Sequence, residues 1–183
     1  MSSDRGAVPR GIPRDEAVAA PRGNALFITC FAALVATSFC FVLRAFVIDD
    51  WGHEFGLSAT QKGELLGVGL WPFSISIVLL SLLIDRVGFR AVLWFAVACH
   101  LVGTVVIVLG GGYWALYMGT FVLSLGNGAV EAAVNPLIAT AYRHDKTKWL
   151  NMLHAGWPGV SCSADCWRSR WVPTLTGAGR SAW

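Results

Sequence analysis

Charged residues are scarce in this 183-residue chain: aspartate, glutamate, lysine and arginine make up 14% of it, against about 25% in a typical soluble domain. Hydrophobic residues make up 55%, and the mean hydropathy is +0.58. This deficit excludes an ordinary soluble domain and predicts a protein that crosses a lipid bilayer several times. The small net charge of +3 also argues against a nucleic-acid-binding protein.

The sequence lacks the residue patterns on which enzymes and metalloproteins depend. Its spans and loops offer no nucleophile and base at a usable spacing, no glycine-rich phosphate loop and no cluster of metal ligands. We therefore expect no enzyme activity, no cofactor and no metal site. The five cysteines are scattered and support no disulfide framework. Those in apolar spans, Cys30, Cys40 and Cys99, are expected to be reduced packing residues.

Long apolar runs divide the chain into membrane spans. About 20 apolar residues cross a bilayer as one helix, and the sequence predicts four such helices and the start of a fifth, at residues 24–48, 64–84, 91–109, 114–142 and 148–158. The expected fold class is therefore all-α, a polytopic membrane protein. Residues 1–23, rich in proline, glycine and charge, predict a disordered tail. Residues 159–183 predict an irregular tail, because they contain neither a long apolar run nor a helical period.

Basic residues are distributed unevenly between the two sides of this arrangement. Nine lysines and arginines lie within residues 1–23, 85–90 and 143–148, whereas the other two loops hold only Lys62. Because cytoplasmic loops are enriched in lysine and arginine, the first group of segments is expected in the cytoplasm. The sequence thus predicts an integral protein of the plasma membrane with a cytoplasmic amino terminus.

The fourth span contains the carboxylate of Glu131. A carboxylate near the bilayer centre costs about 3 kcal/mol on insertion scales, so it normally faces a bundle interior or a wet cavity and marks a substrate or proton path. At 3.6 residues per turn, Glu131 shares one helix face with Thr120, Ser124, Asn127 and Asn135. Such a stripe also suits simple helix packing, but packing does not need an acid.

Two further polar side chains lie within apolar spans. For Arg44, near the end of the first span, two interpretations remain open: its side chain snorkels toward Asp49, Asp50 and water, or it faces a substrate. His100, in the third span, is interpreted as a hydrogen-bonded packing residue, since a lone intramembrane histidine more often packs than relays protons.

The turn between the second and third spans, SLLIDRVGFR, carries a motif. It resembles the loop between helices 2 and 3 of the major facilitator superfamily, whose pattern is roughly G-x-x-x-D-R-x-G-R-[RK]. The matching residues are Asp85, Arg86, Gly88 and Arg90. In that family the loop is a gating latch between bundle halves. The resemblance implies that the chain forms the first four to five helices of an N-terminal bundle.

Two later segments, GNGAVEAAVNP and LNMLHAGWPG, resemble the sugar:proton symporter branch of the superfamily, related to fucose permeases. In that branch, an acid before Asn-Pro on helix 4 takes part in substrate binding or proton coupling, and helix 5 opens with Leu-Asn. The resemblance implies a secondary transporter of a small polar solute, with a sugar and a proton as the expected substrate and coupling ion. The residues expected at this site are Glu131, Asn127, Asn135, Asn151 and His154.

Superfamily members have twelve helices in two halves, so the resemblance implies a truncated chain with an out-of-frame tail that does not transport alone. The expected partners are the missing C-terminal helices, the bilayer, the solute and the proton. The alternative is a small four-helix membrane protein that acts as an assembly subunit, an anchor or an oligomeric pore. The loop motif favours the transporter, because a latch has a role only where a second bundle exists.

Overall fold

The computed structural model describes residues 20–160 together with Cys162 and Cys166, and within this part of the chain every regular element is an α-helix. The helices are α1 (Ala20–Glu54), α2 (Ala59–Gly67), α3 (Trp71–Val87), α4 (Phe89–Leu109), α5 (Tyr113–Ala141) and α6 (Lys146–His154). Four segments are long and apolar enough to cross a membrane: Asn24–Glu54, Ala59–Val87, Phe89–Leu109 and Tyr113–Ala141. The predicted all-α, polytopic membrane class is therefore confirmed.

The segment between the first two spans is more helical than the hydropathy pattern predicts. α1 continues to Glu54 rather than ending at residue 48. α2 begins at Ala59 because Ser58 caps it: the Ser58 hydroxyl accepts a hydrogen bond from the Gln61 amide at 3.2 Å, and the Gln61 side chain accepts one from the Ser58 amide at 2.9 Å. This reciprocal pair is a capping box, which satisfies two otherwise free backbone donors.

The second span is interrupted rather than continuous. α2 ends at Gly67 and α3 begins at Trp71, and the turn between them is held by a hydrogen bond from the Leu70 amide to the Gly67 carbonyl at 2.9 Å. Pro72 lies in the first turn of α3, where its missing N–H leaves no helix bond unmade. A helix therefore starts readily at this proline but does not continue smoothly into it.

The structure describes only part of each of the two predicted tails, residues 1–23 and 159–183. The predicted disordered tail falls mostly on residues 1–19, which lie outside the described residues, and α1 already begins at Ala20. The predicted change to irregular structure at residue 159 is wrong for residues 159, 160, 162 and 166, whose backbone is helical. The rest of that predicted tail, residues 161, 163–165 and 167–183, lies outside the described residues. The Gly159 amide donates to the Ala155 carbonyl at 3.3 Å, so helical bonding continues past the point where the apolar period ends.

α5 is the central helix of the bundle and contacts each of the other five. Its most apolar stretch is 61% buried, against 22 to 28% in the other three spans. A Cβ placed on Gly103 of α4 would lie 2.8 Å from the Gly119 carbonyl oxygen of α5, and a Cβ on Gly128 would lie 2.7 Å from the Cβ of Ser76 in α3. Glycines thus allow both α3 and α4 to approach α5 closely.

The short connections between spans lie at two ends of the bundle, since short loops join antiparallel neighbours. One end, called here the Asp49 end, holds residues 55–58 and 110–112, and it carries an ion pair between Lys62 and Asp49 at 2.9 Å. The other, called the Arg86 end, holds residues 142–145 and the turn at Gly88. Gly88 has a φ of +81°, a conformation that glycine adopts without the strain of a side chain.

Candidate functional site

The polar face of α5 is buried in the bundle. Glu131 is 7% exposed, Thr120 is 1% exposed, and Ser124 and Asn127 are fully buried. Because these residues are three or four positions apart, they lie one above another on one side of the helix. We call these four residues the polar column. It runs from Thr120, toward the Asp49 end, to Glu131, toward the Arg86 end.

Glu131 is joined to α6 by two hydrogen bonds in series. The side-chain amide of Asn135 donates to Oε2 of Glu131 at 2.9 Å, and Nε2 of His154 lies 3.1 Å from Oδ1 of Asn135. Since an amide oxygen can only accept, Nε2 of His154 carries the hydrogen of this bond. We call Glu131, Asn135 and His154 the acid cluster. It connects a buried carboxylate to a titratable ring on the next helix.

The acid cluster lies beside an apolar core. On α5 the residues on either side of Glu131, including Val130 and Ala133, belong to this core, together with Leu34 of α1 and Leu153 of α6. These side chains offer the carboxylate no hydrogen bonds. Because the surroundings are apolar, the hydrogen bond from Asn135 to Glu131 is stronger than it would be in water.

Asn151, which sequence reasoning also assigned to the site, is exposed on α6. The structure therefore brings Glu131, Asn135 and His154 together but does not bring Asn151 to them.

His100 connects α4 to the polar column. Its Nδ1 lies 2.7 Å from the Ala96 carbonyl oxygen, and its Nε2 lies 2.8 Å from Oδ1 of Asn127. Nδ1 must carry a hydrogen because it faces a carbonyl. With an oxygen also facing Nε2, both ring nitrogens donate and the ring is a cation, whereas a neutral ring requires the Asn127 amide nitrogen to face Nε2. In either arrangement the histidine links two helices, as expected for a packing residue.

Arg44 does not reach water at the Asp49 end. It is 7% exposed, its guanidinium carbon lies 5.0 Å from the centre of the Phe41 ring, and its guanidinium fills the space beside Gly69, where a Cβ would collide with it. The interpretation that Arg44 snorkels toward Asp49 is therefore wrong. The reason is the interruption between α2 and α3, which leaves a buried space for the side chain, while Asp49 pairs with Lys62.

A cavity of about 260 Å³ lies beside Arg44 between α1, α4 and α5. Its polar lining residues are Cys40, Arg44, Thr104 and Thr120. Sequence reasoning missed Cys40 and Thr104 as lining residues. A usable signal was present, because Cys40 precedes Arg44 by four residues and residues at that spacing share a helix face.

Arg44 and Glu131 lie in different parts of the interior. Thr120 shares the cavity with Arg44, and Glu131 follows Thr120 by eleven residues along α5. At 1.5 Å per residue this separation is roughly 16 Å, too far for an ion pair.

The four residues of the loop motif lie at the Arg86 end. Asp85, Arg86 and Arg90 are exposed and Gly88 is half-buried. The Gly88 amide donates to the Ile84 carbonyl at 2.8 Å, which closes the last turn of α3 before α4 begins. The turn therefore presents both signs of charge on the surface of this end.

Fold and site together define a polytopic helical membrane protein with a buried acid and a polar column between its spans. Residues 25–161 match the family model of the Major Facilitator Superfamily. The chain belongs to this family, and it is accordingly an integral membrane protein and a transporter of the superfamily, whose members move small-molecule solutes and are not enzymes. No solved structure matches the chain.

Proposed function

We propose that this protein takes part in proton-coupled secondary transport of a small polar solute, with the acid cluster as the coupling site. The observation that carries the proposal is the buried Glu131, linked through Asn135 to His154 at 2.9 and 3.1 Å. A carboxylate inside a membrane span is costly and is normally kept for a function. An amide in its place would pack equally well.

The hydrogen bonds of the acid cluster suit a group that gains and loses a proton. Asn135 donates to Oε2 of Glu131, so a proton can bind at Oε1 without breaking that contact. Two charge states of Glu131 can therefore exist with the same neighbours. His154 is the titratable group at the end of this chain, and His100 faces the polar column at Asn127.

The other site residues that the sequence predicts are also part of this proposal. Asn127, in the polar column, and Asn135 are proposed to contact the solute or the proton path, while the assignment of the exposed Asn151 rests on its resemblance to the fucose-permease-like branch alone. The proposed orientation has the Arg86 end in the cytoplasm, supported by nine basic residues against one. The exposed Asp85, Arg86 and Arg90 then serve as a latch toward a second bundle, and the spans described here supply one side of the path.

Binding measurements test the coupling directly. If proton and solute bind together, each must raise the affinity for the other by the same factor. The 183-residue chain in lipid nanodiscs is titrated with neutral hexoses and with small carboxylates at a series of pH values, and tryptophan fluorescence reports binding. We expect the dissociation constant of the bound solute to rise with pH in the wild type and to be independent of pH in Glu131→Gln.

A matched control is available in Glu54→Gln, which makes the same change at an exposed glutamate outside the cluster and should retain the wild-type pH dependence. A pH dependence that persists unchanged in Glu131→Gln would assign the titration to another group, such as His154, and refute Glu131 as the coupling residue.

A further inference from the structure

The buried guanidinium of Arg44 has no anionic partner among the described residues. The ion pair found in this part of the chain joins Lys62 to Asp49 and does not involve Arg44. An arginine side chain stays charged in proteins, and a buried charge without a partner is costly. An anion in the adjoining cavity would offset that cost.

Unpartnered donors beside the cavity point the same way. Nε of Arg44 and the hydroxyl groups of Thr120 and Ser124 are buried and have no hydrogen-bond partner within the described chain. Arg44 and Thr120 line the cavity, and Ser124 lies one turn further along α5. Since buried donors are normally satisfied, a ligand that reached these groups from the cavity would supply the partners that they lack. A guanidinium donates two parallel hydrogen bonds, which match the two oxygens of a carboxylate.

The other lining residues indicate which kind of ligand the cavity accepts, apart from the charged group that Arg44 would bind. Arg44 supplies the one positive charge among the lining residues, which suits a monoanion better than a phosphate dianion. Most other lining residues are apolar, among them Leu43, Val47, Ile107 and Leu123. They favour an apolar body and leave the hydroxyl groups of a sugar without partners. The volume of about 260 Å³ is just below the roughly 300–1,000 Å³ of sites for drug-sized ligands.

We propose that this cavity binds a small monocarboxylate with an apolar body, its carboxylate held by Arg44 and Thr120. The inference rests on the proposed function in one respect, since it names the class of solute that the transporter carries. Gly69 is not a lining residue of the cavity, but it positions Arg44, because a side chain at this position would displace the guanidinium. The solute site and the coupling acid are then two separate places along one polar column.

Calorimetry tests the proposal. It measures how tightly the wild-type chain in nanodiscs binds benzoate and benzamide, the neutral counterpart of benzoate. We expect benzoate to bind at least about tenfold more tightly than benzamide, as a charged hydrogen-bonded pair would give. Arg44→Gln should reduce benzoate affinity to the benzamide level. Arg44→Lys should lower it less, because the charge remains and the paired geometry is lost. Equal affinities of the wild type for the two ligands, or tighter binding of inorganic phosphate than of benzoate, would overturn the proposal.

Glycine variants provide a test that changes no charge. Gly69→Ala should weaken benzoate binding, whereas Gly67→Ala, at a position where a Cβ meets no atom within 4 Å, should leave it unchanged. Circular dichroism confirms that each variant retains its helix content. Equal benzoate affinity in both alanine variants would contradict the site.

Failure of this inference is distinguishable from failure of the proposed function. Glu131→Gln should still bind benzoate, to within about fivefold of the wild type, because Glu131 lies roughly 16 Å along α5 from Thr120. If another solute shows pH-linked binding through Glu131 while benzoate does not bind, the carboxylate site is wrong and the proton coupling stands.

Discussion

The crossing of α4 and α5 offers a direct test of how closely these helices pack. A Cβ added to Gly103 would lie 2.7 Å from Cγ of Leu123 and 2.8 Å from the Gly119 carbonyl oxygen, whereas ordinary contact begins near 3.4 Å. The leucine side chain can turn aside, but the carbonyl belongs to the backbone of α5. Gly103→Ala must therefore push the two helices apart by about half an ångström.

The expected cost combines two opposing terms. Alanine is favoured over glycine inside a helix by roughly 0.5–1 kcal/mol, and overpacking a close contact costs about 1–3 kcal/mol. Gly63 in α2 has no atom within 4 Å of its Cβ position, so Gly63→Ala carries the first term alone. The difference between the two variants isolates the steric term. It should be about 1–3 kcal/mol, or roughly 5- to 150-fold in the unfolding equilibrium.

Reversible unfolding in mixed micelles with a rising fraction of sodium dodecyl sulfate, followed by circular dichroism, measures this difference. Gly119→Ala places a side chain at the same crossing, because its Cβ would lie 2.9 Å from the Gly103 carbonyl oxygen. The double variant should therefore cost less than the sum of the single variants, because the first separation makes room for the second side chain. If Gly103→Ala unfolds at the same detergent fraction as Gly63→Ala, the backbones of α4 and α5 do not approach as closely as described.

Three other variants test separate parts of the structure in the same unfolding assay. Ser58→Ala removes the side-chain cap of α2 and should lower the free energy of unfolding by about 1 kcal/mol. A decrease of less than a few tenths of a kcal/mol would contradict the capping role. Gly88→Ala places a side chain at a φ of +81° where its Cβ meets no atom within 4 Å. It should cost about 1–3 kcal/mol through backbone strain alone, and unchanged stability would disprove this. Asn135→Leu removes the link between Glu131 and His154. The coupling energy of a Glu131 and His154 double-mutant cycle, about 0.6 kcal/mol for a hydrogen bond in a membrane protein, should then fall to zero, and equal coupling in both backgrounds would exclude the bridge.

Hydropathy predicts the number of spans correctly, because a lipid-crossing helix needs about 20 apolar residues whatever it packs against. It is a poorer guide to where the helices end. The polar residues around Ser58 look like a loop by composition, yet the capping box makes them the start of a helix. The interruption before Trp71 needs the turn at residues 68–70 as well as Pro72. Local hydrogen bonding, rather than hydropathy, decides these bounds.

Glu131 could be selected from sequence because one ionisable residue stands out within one apolar helix, and its burial depends mainly on the face it shares with Asn127. Arg44 is different. Its place depends on Gly69, which lies in another segment of the chain and leaves the space that the guanidinium fills. A single-helix pattern contains no record of that contact, so the choice between snorkelling and a buried position could not be made from sequence.

The two buried charges of the described chain, Arg44 and Glu131, also suggest why binding of an anion and binding of a proton should be linked. Glu131 can lose its charge by taking up a proton, whereas Arg44 cannot lose its own. With the cavity empty and Glu131 ionised, the two charges sum to zero. A bound monocarboxylate changes the sum to −1, and protonation of Glu131 restores it to zero. Across roughly 16 Å and an effective dielectric constant of about 20, one charge shifts the energy of another by about 1 kcal/mol, or about fivefold in affinity.

Benzoate should therefore bind up to fivefold more tightly to Glu131→Gln than to the wild type at a pH where Glu131 is ionised, and the two proteins should bind it equally where Glu131 is protonated. Weaker binding by Glu131→Gln at every pH would show that the carboxylate assists the anion, which this balance of charges forbids.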